Sequence, residues 1–209
     1  MAEKLVILGA GGHGRALREM LRDLPGWEAV GFVDARPPGA AMLGLPVLGD
    51  ESALPGLLAD GVAAAVVAVG DAAQRQAAAA RLQALGFALP ALLHPSAIRA
   101  ASAVVAEGVV VLPRAVLGAA VQVGRLAIIN TGAILEHDAA VGALAHIGPG
   151  AVLPGGVRVG EAALIGAGTA CRPYVSIGAR AVIGVGAAVA ADVPEGAVMG
   201  GVPARPLPG

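Results

Sequence analysis

The sequence predicts an α/β unit with a small parallel sheet over residues 1–94, followed by an all-β parallel β-helix over residues 95–209. Three observations carry this reading. Strands and helices alternate only in the first ninety-odd residues. An apolar repeat of six residues fills the remainder. The composition is 56% hydrophobic but only 2% aromatic, with 32 Gly and 15 Pro in 209 residues. A core so poor in rings must be built from small and branched aliphatic side chains, which suits short stacked strands.

In chain order, Lys4 to Leu8 reads as a buried strand, Gly9-Ala10-Gly11-Gly12-His13-Gly14 as a turn, and Arg15 to Leu24 as a helix. Glu28 to Asp34 and Ala63 to Val69 read as further strands, Ala72 to Leu85 as a helix and Leu89 to Leu93 as a last short strand. Such alternation implies a parallel sheet covered by helices. The domain boundary is expected near His94-Pro95.

From Val105, steps of six reach Val111, Leu117, Val123, Ile129, Leu135, Val141, Ile147, Leu153, Val159, Ile165, Cys171, Ile177, Ile183 and Val189. Small residues follow four positions later, as at Ala115, Ala127 and Ala133, and glycine recurs one position later, from Gly118 to Gly184, where it is expected to relieve the corner. An α-helix would rotate this stripe out of line. Three hexads make a triangular coil, so residues 18 apart stack at about 4.8 Å, and the fifteen hexads make five coils.

Fourteen basic and fifteen acidic residues give a net charge of −1, which provides no electrostatic footprint for nucleic acid and no polybasic membrane patch. Residues 139–157 lack Asp, Glu, Lys and Arg, but His146, Pro149, Pro154 and five glycines argue against a lipid-facing helix and membrane insertion. The lone Cys171 excludes an internal disulfide framework, and its inward hexad position marks it as a small buried hydrophobe. Glycines follow the N-terminus too early for a signal peptide, so a cytoplasmic location is expected. No metal-ligand spacing is present, and no metal is expected.

Gly9, Gly11 and Gly14 satisfy G-x-G-x-x-G after a strand, with Asp34 twenty residues after Gly14. Alone, this pattern indicates a dinucleotide. A helix N-terminus accepts any diphosphate, however, so a nucleotide sugar fits equally, and the unit is short for both halves of a dinucleotide fold. A glycine turn without a ligand is the plain alternative.

The second unit's candidates are the exceptions to its repeat. Asn130 and Glu136 stand where glycine recurs, and Glu136-His137-Asp138 puts three polar groups into an apolar ladder. His137 lies beyond the buried stripe, Asp138 is placed to orient its ring, and Gly155 lies one coil further on, where its N–H can meet a developing oxyanion. Histidine titrates near neutral pH and is suited as a type to accept an amine proton. His146, nine residues from His137, is half a coil away, so the two cannot share a corner within one subunit.

The hexads resemble the left-handed parallel β-helix of the hexapeptide-repeat acyltransferases, and the handedness comes from that resemblance. Both halves together resemble bacterial sugar acyltransferases typified by sialic acid O-acetyltransferases and by N-acetyltransferases of UDP-4-amino sugars. In that family a Rossmann-like domain opens on a turn like Gly9-Ala10-Gly11-Gly12-His13-Gly14. Gly31-Phe32-Val33-Asp34 with Ala35-Arg36 matches the next landmark, and Gly201-Val202-Pro203-Ala204-Arg205 matches the ending. The resemblance implies acetyl-CoA as donor and a nucleotide sugar as acceptor. Gly9, Gly11, Gly12, His13 and Gly14 would lie by the diphosphate, with Asp34 and Arg36 by the nucleoside. Gly155, Gly184, Gly186 and Arg205 would lie by CoA. It also implies a homotrimer with sites between subunits, so that His137 of one chain faces His146 and Asn130 of its neighbour.

The expected reaction is direct attack of a sugar amine, on a UDP-4-amino sugar, upon acetyl-CoA with His137 as general base. Alternatives are O-acetylation of sialic acid or another glycan sugar, an NAD-binding protein, and a non-catalytic sugar-nucleotide-binding scaffold.

Overall fold

The computed structural model describes residues 2–207, and the chain divides between Pro90 and Ala91 into two compact units. In the first, β1 (Glu3–Leu8), α1 (Gly12–Arg22), β2 (Trp27–Val33), β3 (Ala41–Met42), β4 (Leu45–Gly49), α2 (Leu54–Ala59), β5 (Ala64–Val67) and α3 (Ala72–Leu85) follow in order. The sheet order is β3-β4-β2-β1-β5, parallel except where β3 meets β4. Leu5 to Leu8 of the central strand are buried, as an apolar run covered on both faces must be. α3 starts at Asp71, whose carboxylate accepts the Gln74 N–H at 2.8 Å, and stops at Gly86 in the left-handed conformation.

The glycine turn is shorter than expected, because Gly12, His13 and Gly14 already form the first turn of α1. A Cβ at Gly14 would stand 2.1 Å from the Gly9 carbonyl oxygen, so glycine is what lets helix and turn approach. The strand β4 and helix α2 had no counterpart in the sequence reading. Pro46 and the flanking Gly44 and Gly49 disguise the strand as a loop.

The second unit is a three-faced, left-handed parallel β-helix. Its first face runs from Leu92–Leu93 to Val198–Gly200, closed by the antiparallel Arg205–Pro206. The second runs from Ile98–Arg99 to Ala188–Val189, and the third from Val104–Val105 to Ser176–Ile177. Partners are 18 residues apart, as in Leu117, Leu135 and Leu153. The inward aliphatic residues and the alanines four positions on form one continuous core.

Three expectations are corrected here. Leu92–Leu93 pairs with Val110–Val111, so it is the first rung of the β-helix instead of the last strand of the sheet. The first coil escaped the apolar count because Arg99 occupies an inward phase, and its guanidinium closes the open end by donating twice to the Ala103 carbonyl, at 2.7 and 3.1 Å. The recurrent glycines do not relieve the corners. Every sixth residue from Gly108 to Gly186 has φ between 55° and 70°, and eight of these are not glycine, Asp138 and Tyr174 among them. The glycines from Gly118 to Gly184 instead admit the next coil. A Cβ at Gly124 or Gly160 would stand 2.5 or 2.4 Å from backbone nitrogen of that coil.

This division of labour predicts opposite sensitivities. Gly160→Ala should lower stability by about 1–3 kcal/mol or more, whereas Gly150→Asn, at a left-handed corner with open space around it, should cost under about 1 kcal/mol. Thermal unfolding of both variants checks this. Cys171 is buried, and burial pushes its thiol up to about 11 from 9.0. Native-state alkylation at pH 8 should therefore run about a hundredfold slower than in urea, measured by mass shift against time.

Candidate active site

The left-handed corner between the second and third faces builds the main constellation. Leu135 is buried in the core, the chain turns through Glu136 and His137, and Asp138 takes the left-handed position, leaving His137 and Asp138 on the outside. The Asp138 carboxylate lies 2.9 Å from His137 Nδ1. An ionised carboxylate only accepts, so Asp138 favours the tautomer with the ring proton on Nδ1, which leaves the lone pair of the neutral ring on Nε2. Both side chains are more than half exposed, so the pair contributes little to stability.

One coil further on, Gly155 lies against this ring. A Cβ on Gly155 would stand 2.4 Å from His137 Nε2, so only glycine leaves room for the imidazole. The His137 carbonyl accepts the Gly156 N–H at 2.9 Å, which ties the two coils together. Among the described residues the Gly155 N–H makes no backbone hydrogen bond. The corner thus presents a basic nitrogen and an unused amide donor side by side, the pair that acyl transfer from a thioester requires.

Asn130 and His146 also come together, but on a different edge, between the first and second faces. Asn130 Oδ1 accepts the Thr131 N–H at 2.8 Å, so its amide nitrogen is the donor toward His146 Nε2, 3.1 Å away. Gly184 and Gly186 lie on this same edge, Gly186 exposed with φ 68°. Arg205 is exposed beside the first face, and its guanidinium reaches the Ala204 carbonyl at 2.9 Å. Within one chain, Gly155 and the pair Gly184 and Gly186 therefore occupy separate edges.

In the first unit a cavity of about 660 Å³ opens beside the ends of β1, β2 and β5, a size suited to a small molecule. Of the expected residues it is lined by Gly9 and Asp34, while Gly11, Gly12, His13, Gly14 and Arg36 are not part of its wall. Asp34 braces the glycine turn by accepting the Ala10 N–H at 2.8 Å, and its other oxygen takes the Arg36 guanidinium at 3.1 Å. Asp50, Glu51, Ser52, Gln74 and Arg81 complete the polar wall, and all five were missed in the sequence. The Ser52 hydroxyl and N–H hold Asp50 below the usual carboxylate range, and the Arg81 hydrogen bond does the same for Glu51. Asp50-x-Ser52 is a recognisable turn pattern, but only β4 brings it to the cavity.

Comparison with known proteins follows from this geometry. Residues 4–82 match the PglD N-terminal domain family. A search of curated proteins gives no match. Among solved structures, PerB from Caulobacter crescentus in complex with CoA and GDP-perosamine is 41% identical with a TM-score of 0.94, over 100% of this chain and 99% of that one. The acetyltransferase domain of PglB from Neisseria gonorrhoeae in complex with acetyl coenzyme A is 38% identical with a TM-score of 0.93, over 99% of this chain and 100% of that one. WeeI from Acinetobacter baumannii, at 23% identity and a TM-score of 0.83, shares the fold. With a Rossmann-like unit ahead of a left-handed β-helix and full-length similarity to these structures, the chain belongs to the family of hexapeptide-repeat sugar acyltransferases.

Proposed function

We propose that this chain is an acetyl-CoA-dependent sugar N-acetyltransferase that acetylates the amino group of a nucleotide-activated 4-amino sugar, with His137 as general base. The observation that carries the reading is the corner at His137, where Asp138 fixes the Nδ1 proton and Nε2 lies over Gly155. The complexes of the relatives with CoA, acetyl coenzyme A and GDP-perosamine support donor and acceptor class. UDP is the nucleotide the family resemblance implies and GDP the one bound by the Caulobacter relative, so an acceptor panel must contain both.

In this mechanism the neutral amine attacks the thioester carbonyl carbon while the Gly155 N–H stabilises the charge developing on oxygen. His137 Nε2 accepts the amine proton, with Asp138 stabilising the imidazolium. The C–S bond then breaks, the acetyl group stays on nitrogen, and the CoA thiolate takes up the proton. No covalent enzyme intermediate is needed. The cavity beside Gly9 and Asp34 is the place for the nucleoside. With Asp34, Asp50 and Glu51 in its wall it disfavours phosphate, which belongs nearer the amides opening α1. Asn130 and His146, on their separate edge, belong to this site through a neighbouring subunit in a trimer.

Release of free CoA, followed with UDP- and GDP-4-amino sugars, tests the reading. His137→Ala should reduce kcat about 10²- to 10⁴-fold without changing the melting temperature, because its side chain is 55% exposed. Gly155→Ala should be similarly impaired, since the added Cβ displaces the imidazole. His137→Ala retaining kcat within a few-fold on the preferred amine would contradict the assignment.

A further inference from the structure

Tyr174 is the chain's one tyrosine, and it stands at the corner two coils beyond His137 on the same edge of the β-helix. The sequence Arg172-Pro173-Tyr174 interrupts the small residues of the repeat and suggests a local protrusion. The backbone instead makes a regular corner, with the Tyr174 N–H donating to the Gly155 carbonyl at 3.0 Å. Tyr174 therefore takes the left-handed position with φ 62°, a conformation disfavoured for a bulky side chain. Eight of the fourteen corners between Gly108 and Gly186 carry a side chain at this position, and Tyr174 is the one aromatic residue among them. Tyr174 is also 73% exposed, and among the described residues its hydroxyl makes no hydrogen bond. A large ring this exposed, with no hydrogen bond, has no evident purpose in the fold.

The position of the ring supplies one. A Cβ on Gly156 would stand 2.3 Å from the ring's Cδ1, so the ring packs against Gly156 just as the imidazole packs against Gly155. The Gly155-Gly156 pair is a floor with His137 on its N-terminal side and Tyr174 on its C-terminal side. A thioester whose oxygen lies at the Gly155 N–H has its sulfur and the arm behind it beside the Gly155-Gly156 floor, which the Tyr174 ring flanks. Aromatic rings make favourable contacts with sulfur and with apolar chains.

We infer that Tyr174 binds the thioester and pantetheine end of acetyl-CoA and holds the carbonyl at the Gly155 N–H. This rests on the donor site proposed above. The test titrates acetyl-CoA and, separately, adenosine 3′,5′-bisphosphate into wild type, Tyr174→Gly, Tyr174→Phe and Gly156→Ala by calorimetry, alongside thermal unfolding. Tyr174→Gly should weaken acetyl-CoA about tenfold and leave the bisphosphate unaffected, without lowering the melting temperature, since glycine takes this φ without strain. Tyr174→Phe should keep wild-type affinity because the ring makes the contact. Gly156→Ala should mimic Tyr174→Gly in acetyl-CoA binding, because its Cβ evicts the ring. A purely structural tyrosine would lower the melting temperature and leave acetyl-CoA affinity unchanged, overturning the inference. If Tyr174→Gly binds acetyl-CoA normally while His137→Ala abolishes turnover, only this inference fails. If wild type does not bind acetyl-CoA, the donor site fails with it.

Discussion

Backbone hydrogen bonds from each coil to the next hold the polar corner of the β-helix in place, because it cannot move without breaking the ladders above and below it. The Asp138 N–H donates to Ala119, the Gly156 N–H to His137 and the Tyr174 N–H to Gly155. These bonds run up one edge at the interstrand spacing of about 4.8 Å. The side chains of His137 and Tyr174 are exposed and rest against Gly155 and Gly156, so their placement is inherited from this backbone. A buried stripe of Leu117, Leu135 and Leu153 beneath the edge keeps the rungs from slipping, since a slip would turn apolar side chains outward.

This explains how so little chemistry on the chain is enough. The corner holds one imidazole, the carboxylates of Glu136 and Asp138, and one unused amide. Acyl transfer to an amine needs only a base, a donor for the oxyanion and fixed geometry. A β-helix supplies geometry through its ladders, which hold corners bearing Arg, Ala, Leu, Asp, Tyr or Gly in the same left-handed conformation. In the proposed function the cavity of the first unit, with Asp34, Asp50 and Glu51 in its wall, would serve a different requirement, the recognition of a nucleoside.

The hexads were legible because the interior of each coil tolerates only branched or small side chains, so a fixed period survives in plain sequence. His137 and Asp138 were legible as exceptions to that period, and Gly155 followed by counting one coil. The corner conformation was not legible. Left-handed positions are filled by Arg114, Leu126, Leu144 and Tyr174 as well as by glycine, because the ladders on either side enforce the conformation whatever the residue. Tyr174 consequently looked like a disturbance. Arg99 concealed the first coil by placing a charge at an inward phase, and Pro46 concealed the strand that carries Asp50 and Glu51 to the cavity. In each case a tertiary hydrogen bond or pairing satisfies a residue that local propensity argues against.

A crystal structure of the protein with acetyl-CoA tests the central claim most directly, because the claim concerns where one carbonyl lies. The account predicts the thioester oxygen at about 2.7–3.1 Å from the Gly155 nitrogen, with His137 Nε2 open on the side from which the amine arrives. An acetyl group seated elsewhere, with no contact to Gly155 and with His137 remote from the carbonyl, would contradict it.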